Sequence, residues 1–258
     1  MDEREAREFI CEVGRRAYVR QFVAANDGNI SFRLSDNEVL ATPTLVCKGF
    51  MKPHEMVKLD MDGNLLAGFM TPTSETRLHL GIYQERPDVK AVVHLHPPHA
   101  TAFAIAGVPV DKCVLPEVEI FLGEVPIAEY RTPGTQDFFE SIRPYLADYS
   151  VMLLANHGVV ALGRDLQEAY WRLEIVDAYC RMLILARQLG QINKITLENM
   201  ERLFDIKKRL GIPDRRMRQP EMDPCAIGTP PGEPASESEV AEIVKRVTAE
   251  VVRRLQSR

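Results

Sequence analysis

Apolar residues open the chain at helical spacing. Phe9, Ile10, Val13 and Ala17 share one face and predict an amphipathic helix. The polar turn Asn26-Asp27-Gly28-Asn29 follows, and Ile30-Ser31-Phe32-Arg33-Leu34 alternates with the period of a strand. Ser35-Asp36-Asn37 turns the chain before Val39-Leu40-Ala41, which predicts a hairpin. A second hairpin is predicted where Val57-Lys58-Leu59-Asp60 and Leu65-Leu66-Ala67 flank Met61-Asp62-Gly63-Asn64. Thr73-Ser74-Glu75 starts a helical pattern through Leu78, Gly81 and Ile82 that stops before Pro87. Val89 to His94 reads as a short strand; Pro97-Pro98 breaks it and opens a helix from His99 to Ile105. Val151 to Ala155 and Gly158 to Leu162 are apolar runs of strand length. Asp165-x-x-Glu168 has the form of a capping box before a long helix carrying Leu166, Ala169, Tyr170, Leu173, Val176, Cys180, Leu183 and Ile184, with Gly190 as its stop. Leu197, Met200, Leu203 and Phe204 mark a last helix of this part.

The pattern changes after Leu210. Six of the 17 prolines (Pro213, Pro220, Pro224, Pro230, Pro231 and Pro234) fall in a short span with Gly228 and Gly232, which reads as a linker. Ser236-x-x-Glu239 then signals a new helix, and Val240, Ile243, Val244, Val247, Val251 and Leu255 form a narrow apolar stripe along it. The expected division is a main folded part over 1–212, a linker over 213–235 and an amphipathic helix over 236–258. The alternation of helices and strands in the first part makes its class α/β.

Composition adds mostly exclusions. The 258 residues are 45% hydrophobic and 27% charged, as in an ordinary globular chain. With 32 basic and 37 acidic residues the net charge is −5, which makes no case for nucleic acid or an anionic membrane as partner. No apolar run has the length of a membrane span, and the acidic start Met1-Asp2-Glu3-Arg4-Glu5 lacks the features of a signal peptide. Five widely spaced cysteines without a C-x-x-C are expected as reduced thiols, and the protein as cytoplasmic.

Candidate chemistry centres on the six histidines. On a strand, His94 and His96 point to one face and reach a single metal ion; the other reading is two surface histidines. His157 lies in Asn156-His157-Gly158, after an apolar strand, where functional groups gather on loops. Three histidines without cysteine, with one position left open, is a pattern expected of catalytic zinc. His99 reads as a hydrogen-bonded helix residue, and His54 and His79 as structural or surface groups. Glu75 at a helix start either offsets the helix dipole or does chemistry. Thr73 and Ser74 beside it, with Gly28-Asn29 and Thr42-Pro43-Thr44, are ordinary turns or donors to an anion.

Taken in order, Gly28-Asn29-Ile30-Ser31, Thr42-Pro43-Thr44, Thr73-Ser74-Glu75, His94-x-His96-x-x-His99-Ala100-Thr101-Ala102 and Asn156-His157-Gly158 resemble the class II aldolase/adducin family, most of all its fuculose-phosphate aldolases, over residues 3 to 210. The resemblance implies a three-layer αβα sandwich with a central, mostly antiparallel sheet, assembled as a homotetramer. It implies one Zn2+ per subunit on His94, His96 and His157, and a substrate phosphate held by Asn29, Thr44, Thr73 and Ser74. It makes Glu75 the acid/base, resting near the metal without substrate. The implied reaction is reversible cleavage of a 6-deoxyketose 1-phosphate (L-fuculose or L-rhamnulose 1-phosphate) to dihydroxyacetone phosphate and L-lactaldehyde.

The chain departs from that pattern in places. Leu45 stands where the aldolases usually carry a glycine, so left-handed backbone would be hard to adopt there. The tyrosine of the aldehyde end has no clear counterpart; Glu117 is a candidate pocket residue in its place, or a surface carboxylate. The linker and helix replace the family's C-terminal segment. They look like the encapsulation peptide of a bacterial microcompartment cargo enzyme, which makes a shell protein the expected partner of 236–258. Self-association, docking on the chain's own core and a membrane surface compete with that reading, the last disfavoured by the absence of a Trp or Phe anchor. Rival activities are a pentulose-phosphate 4-epimerase, which typically has aspartate in place of Glu75, and a sugar-phosphate dehydratase. The adducin-like binding modules have lost the histidines that are present here.

Overall fold

The first helix, α1 (Glu3–Val19), forms where the periodicity places it. Asp2 accepts the Glu5 N–H and Glu5 accepts the Asp2 N–H, a reciprocal cap that satisfies the helix start. The buried face is Ala6, Ile10, Val13, Gly14 and Ala17. β1 (Asn29–Arg33) and β2 (Val39–Ala41) pair as the first expected hairpin, β3 (Val57–Leu59) and β4 (Leu65–Ala67) as the second. α2 (Thr76–Glu85), β5 (Ala91–Leu95) and α3 (Pro98–Ala106) follow. Three short elements that the apolar pattern does not mark come next: α4 (Pro116–Phe121), β6 (Ile127–Ala128) and α5 (Gln136–Ile142). β7 (Val151–Leu154), β8 (Gly158–Gly163), α6 (Leu166–Leu189) and α7 (Leu197–Leu210) complete the sequence. The computed structural model describes residues 1–218, 223–226 and Lys245. The expected helix over 236–258 lies outside them, Lys245 apart.

The eight strands form one sheet in the order β4-β3-β2-β1-β5-β8-β7-β6. Neighbours run antiparallel except β6 and β7, which are parallel. Strand alternation builds a core on each face. Val93, Leu95, Val159 and Ala161 pack with the apolar faces of α1, α3 and α6. Val92, Val160 and Leu162 pack on the other side with Leu78, Ile82 and Tyr83 of α2 and Phe138, Phe139 and Ile142 of α5. This is the expected three-layer α/β sandwich around a mostly antiparallel sheet.

Residues just past 212, where the linker is expected to begin, pack against α4 and α7. The first compact unit runs Met1–Gly228. Asp214 and Arg216 are buried among Glu119 of α4 and Lys207 of α7. Arg216 Nη2 donates to Glu119 Oε2 at 2.7 Å, and Lys207 Nζ donates to Asp214 Oδ2 at 2.6 Å. The expectation of five reduced thiols is corrected too: Cys113 and Cys225 form a disulfide, while Cys11, Cys47 and Cys180 are free. The reason is tertiary. Cys225 packs with Cys113 and Met200 in a small apolar cluster, which joins residues 112 apart that spacing along the chain does not connect.

Candidate functional site

The middle of the sheet brings the site together. β5 lies between β1 and β8, with Asn29 opposite His94 on one side and Val160 opposite His94 on the other. His94 is fully buried near the end of β5, and His96 follows it just past the strand. The tight connection from β7 to β8 carries His157: Leu154 pairs with Gly158, and Asn156 takes left-handed backbone at φ 56°. Gly158 allows the close approach, since a Cβ there would stand 2.5 Å from His96 Cδ2 and 2.6 Å from the Leu95 carbonyl. Glu75 occupies the N-cap position of α2 but makes no capping hydrogen bond. Its buried carboxylate instead lies within 3.3 Å of His94 Nε2 and 3.6 Å of His157 Nε2.

His94 Nε2 and His96 Nε2 stand 3.3 Å apart. His94 Nε2 is 3.3 Å from Glu75 Oε2, and His157 Nε2 is 3.6 Å from Glu75 Oε1. The ligating atoms of the three histidines all lie within 4.8 Å of one another. The ring nitrogens on the far side are held by acceptors in two cases: His94 Nδ1 donates to the Val159 carbonyl at 2.9 Å, and His96 Nδ1 to Asp27 Oδ2 at 3.0 Å. Both Nε2 atoms therefore present lone pairs to each other. Two facing lone pairs repel unless a cation lies between them. Nitrogens bound at ~2.0–2.1 Å to one tetrahedral ion stand roughly 3.3 Å apart, so the donor set fits a divalent metal. Burial, helped by the charge of His96, pushes the His94 imidazole down to about 3, and burial with the charge of His94 takes His157 down to about 4. Neutral imidazoles are the form that binds metal.

A buried polar chain backs Glu75. Asn29 Nδ2 donates to Glu75 Oε2 at 3.2 Å, and Asn29 Oδ1 accepts from His79 Nε2. His79 Nδ1 then accepts the Ser31 hydroxyl at 2.6 Å, and Ser31 Oγ lies 2.8 Å from the Tyr83 hydroxyl. Asn29, expected at a phosphate, thus spends its side-chain amide on Glu75 and His79. The other three residues of that group come from two adjoining segments. Thr44 N–H donates to the Thr71 carbonyl and Thr73 N–H to the Thr42 carbonyl, around a Pro43–Pro72 bridge. The Thr73 hydroxyl accepts the Glu75 N–H at 3.4 Å, and Ser74 is exposed. Leu45 adopts the left-handed backbone that looked hard for it, at φ 57°, with its side chain in solvent.

Two candidates take other places. His99 Nδ1 lies 3.0 Å from Asp177 Oδ2, and Asp177 Oδ1 accepts the His99 and Ala100 N–H groups at the start of α3, so His99 is the hydrogen-bonded helix residue expected. Glu117 is exposed on α4 and forms no hydrogen bond or ion pair with the histidine cluster among the described residues. Sequence reasoning missed Asp27 and the role of His79. For His79 a signal exists: it lies four residues after Glu75 on the same helix face. Asp27 carries none beyond its turn.

Residues 8–184 match the Class II Aldolase and Adducin N-terminal domain. An L-fuculose phosphate aldolase of Methanocaldococcus jannaschii is 33% identical over 181 residues, covering 70% of this chain and 96% of that protein. A 3-oxo-tetronate 4-phosphate decarboxylase of Escherichia coli K12 is 33% identical over 187 residues, covering 71% of this chain and 88% of the other. The crystal structure of YgbL from Escherichia coli superimposes with a TM-score of 0.72 at 31% identity, over 78% of this chain and 98% of that one. With its sandwich fold and its three-histidine group fit for a divalent metal, the chain belongs to the class II aldolase and adducin family.

Proposed function

We propose that the protein cleaves the C3–C4 bond of a 6-deoxyketose 1-phosphate, L-fuculose or L-rhamnulose 1-phosphate, to dihydroxyacetone phosphate and L-lactaldehyde. The observation that carries this reading is the convergence of His94, His96 and His157 on the Glu75 carboxylate. A divalent ion on the three imidazoles, zinc in the first instance, supplies Lewis-acid stabilisation of the charge that develops on the ketose oxygens, worth several kcal/mol. Glu75 moves the proton. The C4 hydroxyl gives its proton to solvent as C4 becomes the aldehyde, breaking C3–C4 leaves its electron pair on C3, and the protonated carboxyl delivers a proton there; in the reverse direction the carboxylate removes it. Thr44, Thr73 and Ser74 hold the phosphate, and Asn29 joins them when Glu75 swings away from it. The segment 236–258 serves as a docking helix for a microcompartment shell protein, and the catalytic part works as a homotetramer.

One observation favours a second reading. The C4 hydroxyl must lose a proton as the aldehyde forms, and Glu117, the candidate for that end, is exposed and bonded to none of the three histidines among the described residues. A 3-oxo acid 4-phosphate that loses CO2 leaves the same electron pair beside a ketone and needs no such group. Protonation then gives the same dihydroxyacetone phosphate. The test is a panel of ketose 1-phosphates and 3-oxo-tetronate 4-phosphate, with coupled detection of dihydroxyacetone phosphate and of CO2. The expected result is dihydroxyacetone phosphate from a ketose 1-phosphate, lost by ~10²-fold or more in Glu75→Gln that still holds zinc. CO2 release with no aldehyde from any ketose moves the assignment to the second reading. Normal cleavage by zinc-loaded Glu75→Gln removes Glu75 from its role.

A further inference from the structure

The turn between α1 and β1 closes on His96. The Phe22 carbonyl accepts the His96 backbone N–H at 2.9 Å, and Asp27 Oδ2 lies 3.0 Å from His96 Nδ1. The other oxygen of Asp27 accepts the Ala24 N–H at 2.6 Å, while the Asp27 N–H donates to the Ala24 carbonyl at 3.1 Å. The carboxylate is therefore aimed by its own turn. That turn is anchored in two further ways. The buried Lys48 ammonium donates to the Asn26 carbonyl at 3.0 Å and to the Val46 carbonyl at 2.7 Å, tying the turn to the loop after Thr44. Gly28 lies against the neighbouring strand, where a Cβ would stand 2.9 Å from Leu95 Cδ2 and 3.1 Å from the His94 carbonyl.

A carboxylate only accepts, so His96 must carry its hydrogen on Nδ1. That leaves the lone pair on Nε2, the atom facing His94 Nε2. The three histidines differ here. His94 leans on a neutral carbonyl, and the buried His157 Nδ1 has no hydrogen-bond partner among the described residues. His96 is the one backed by an anionic group, which raises the basicity of the opposite nitrogen and fixes the ring's direction.

We propose that Asp27 is a positioning residue of the metal centre: it sets the tautomer and orientation of His96 and strengthens that imidazole as a ligand to a divalent cation. This rests on the proposed metal site. The test compares full-length wild type, Asp27→Asn and Asp27→Ala in two measurements. One is zinc affinity, by competition with a chelating dye of known affinity. The other is the His96 tautomer in metal-free protein, by long-range 1H–15N NMR. The wild type is expected to bind zinc and to show His96 in the Nδ1–H form. Asp27→Ala is expected to bind zinc ~10–100-fold more weakly and to lose the pure Nδ1–H form. Asp27→Asn, which keeps an acceptor oxygen without the charge, falls between and carries the test if the alanine variant does not fold. Unchanged affinity in the variants overturns the proposal, as does an Nε2–H form of His96 in the wild type. Weakened zinc binding with an unchanged tautomer also overturns it, because the effect then comes from a disturbed turn. A wild type that takes up no zinc overturns the metal centre itself.

Discussion

At the scale of single residues, the site depends on imidazoles kept neutral by burial. His79, His94 and His157 are pushed to about 3, 3 and 4, in each case first by removal from water. An unfolded histidine takes up its proton near ~6.5. Below that pH the unfolded chain binds more protons than the folded one, so stability is complete above it and falls as the pH drops towards the depressed values. The expected outcome is a urea midpoint of metal-free protein that is flat above about pH 7 and declines between roughly pH 6.5 and 5, where carboxylates are still mostly ionised. A midpoint unchanged across that window would contradict the neutral, buried state of these rings.

At the scale of elements, the segment after α7 acts as a strap. Asp214 and Arg216 complete a buried ionic group with Glu119 and Lys207, and Lys207 Nζ also donates to the Glu119 carbonyl at 2.9 Å. Glu119 in turn accepts the Cys113 N–H, next to the bond from Cys113 to Cys225. Residues of α4, α7 and the strap are thus held by one set of charges and one covalent link. Removing one side of a buried pair costs about 3–5 kcal/mol, and a disulfide contributes roughly 2–4 kcal/mol. A chain ended after residue 212 is therefore expected to unfold at clearly lower urea concentration than one ended after residue 228. Equal midpoints would show that the strap adds nothing.

At the scale of the whole molecule, the first compact unit ends at Gly228. Deleting 229–258 is expected to leave the rate of cleavage and the urea midpoint unchanged while abolishing co-purification with microcompartment shells. Loss of activity on that deletion would assign the segment to the catalytic part instead. Assembly belongs to the same scale. Tyr18 and Phe50 meet edge to face at 5.0 Å and stay exposed, together with Val19 and Leu45, which is apolar surface of the sort a subunit contact covers. A sedimentation mass of four chains for residues 1–228 is the result expected of the proposed homotetramer.

Both hairpins, the apolar face of α1, the capped α6 and the pairing of His94 with His96 were legible in the sequence, because each is written in neighbours: a period of two, a period near 3.6, or a cap three residues from its partner. The short α4, β6 and α5 escaped, since six, two and seven residues carry too little periodicity to stand out. Asp27 behind His96, 69 residues away, and Cys225 on Cys113, 112 residues away, are decided by tertiary structure. So is Arg216 on Glu119, at a separation of 97. The sequence alone determined which side chains have the chemistry for a metal and a proton transfer. The folded sheet decided which of them meet, because β1, β5 and β8 become neighbours only through pairing across long stretches of chain, and a local pattern holds no information about that register.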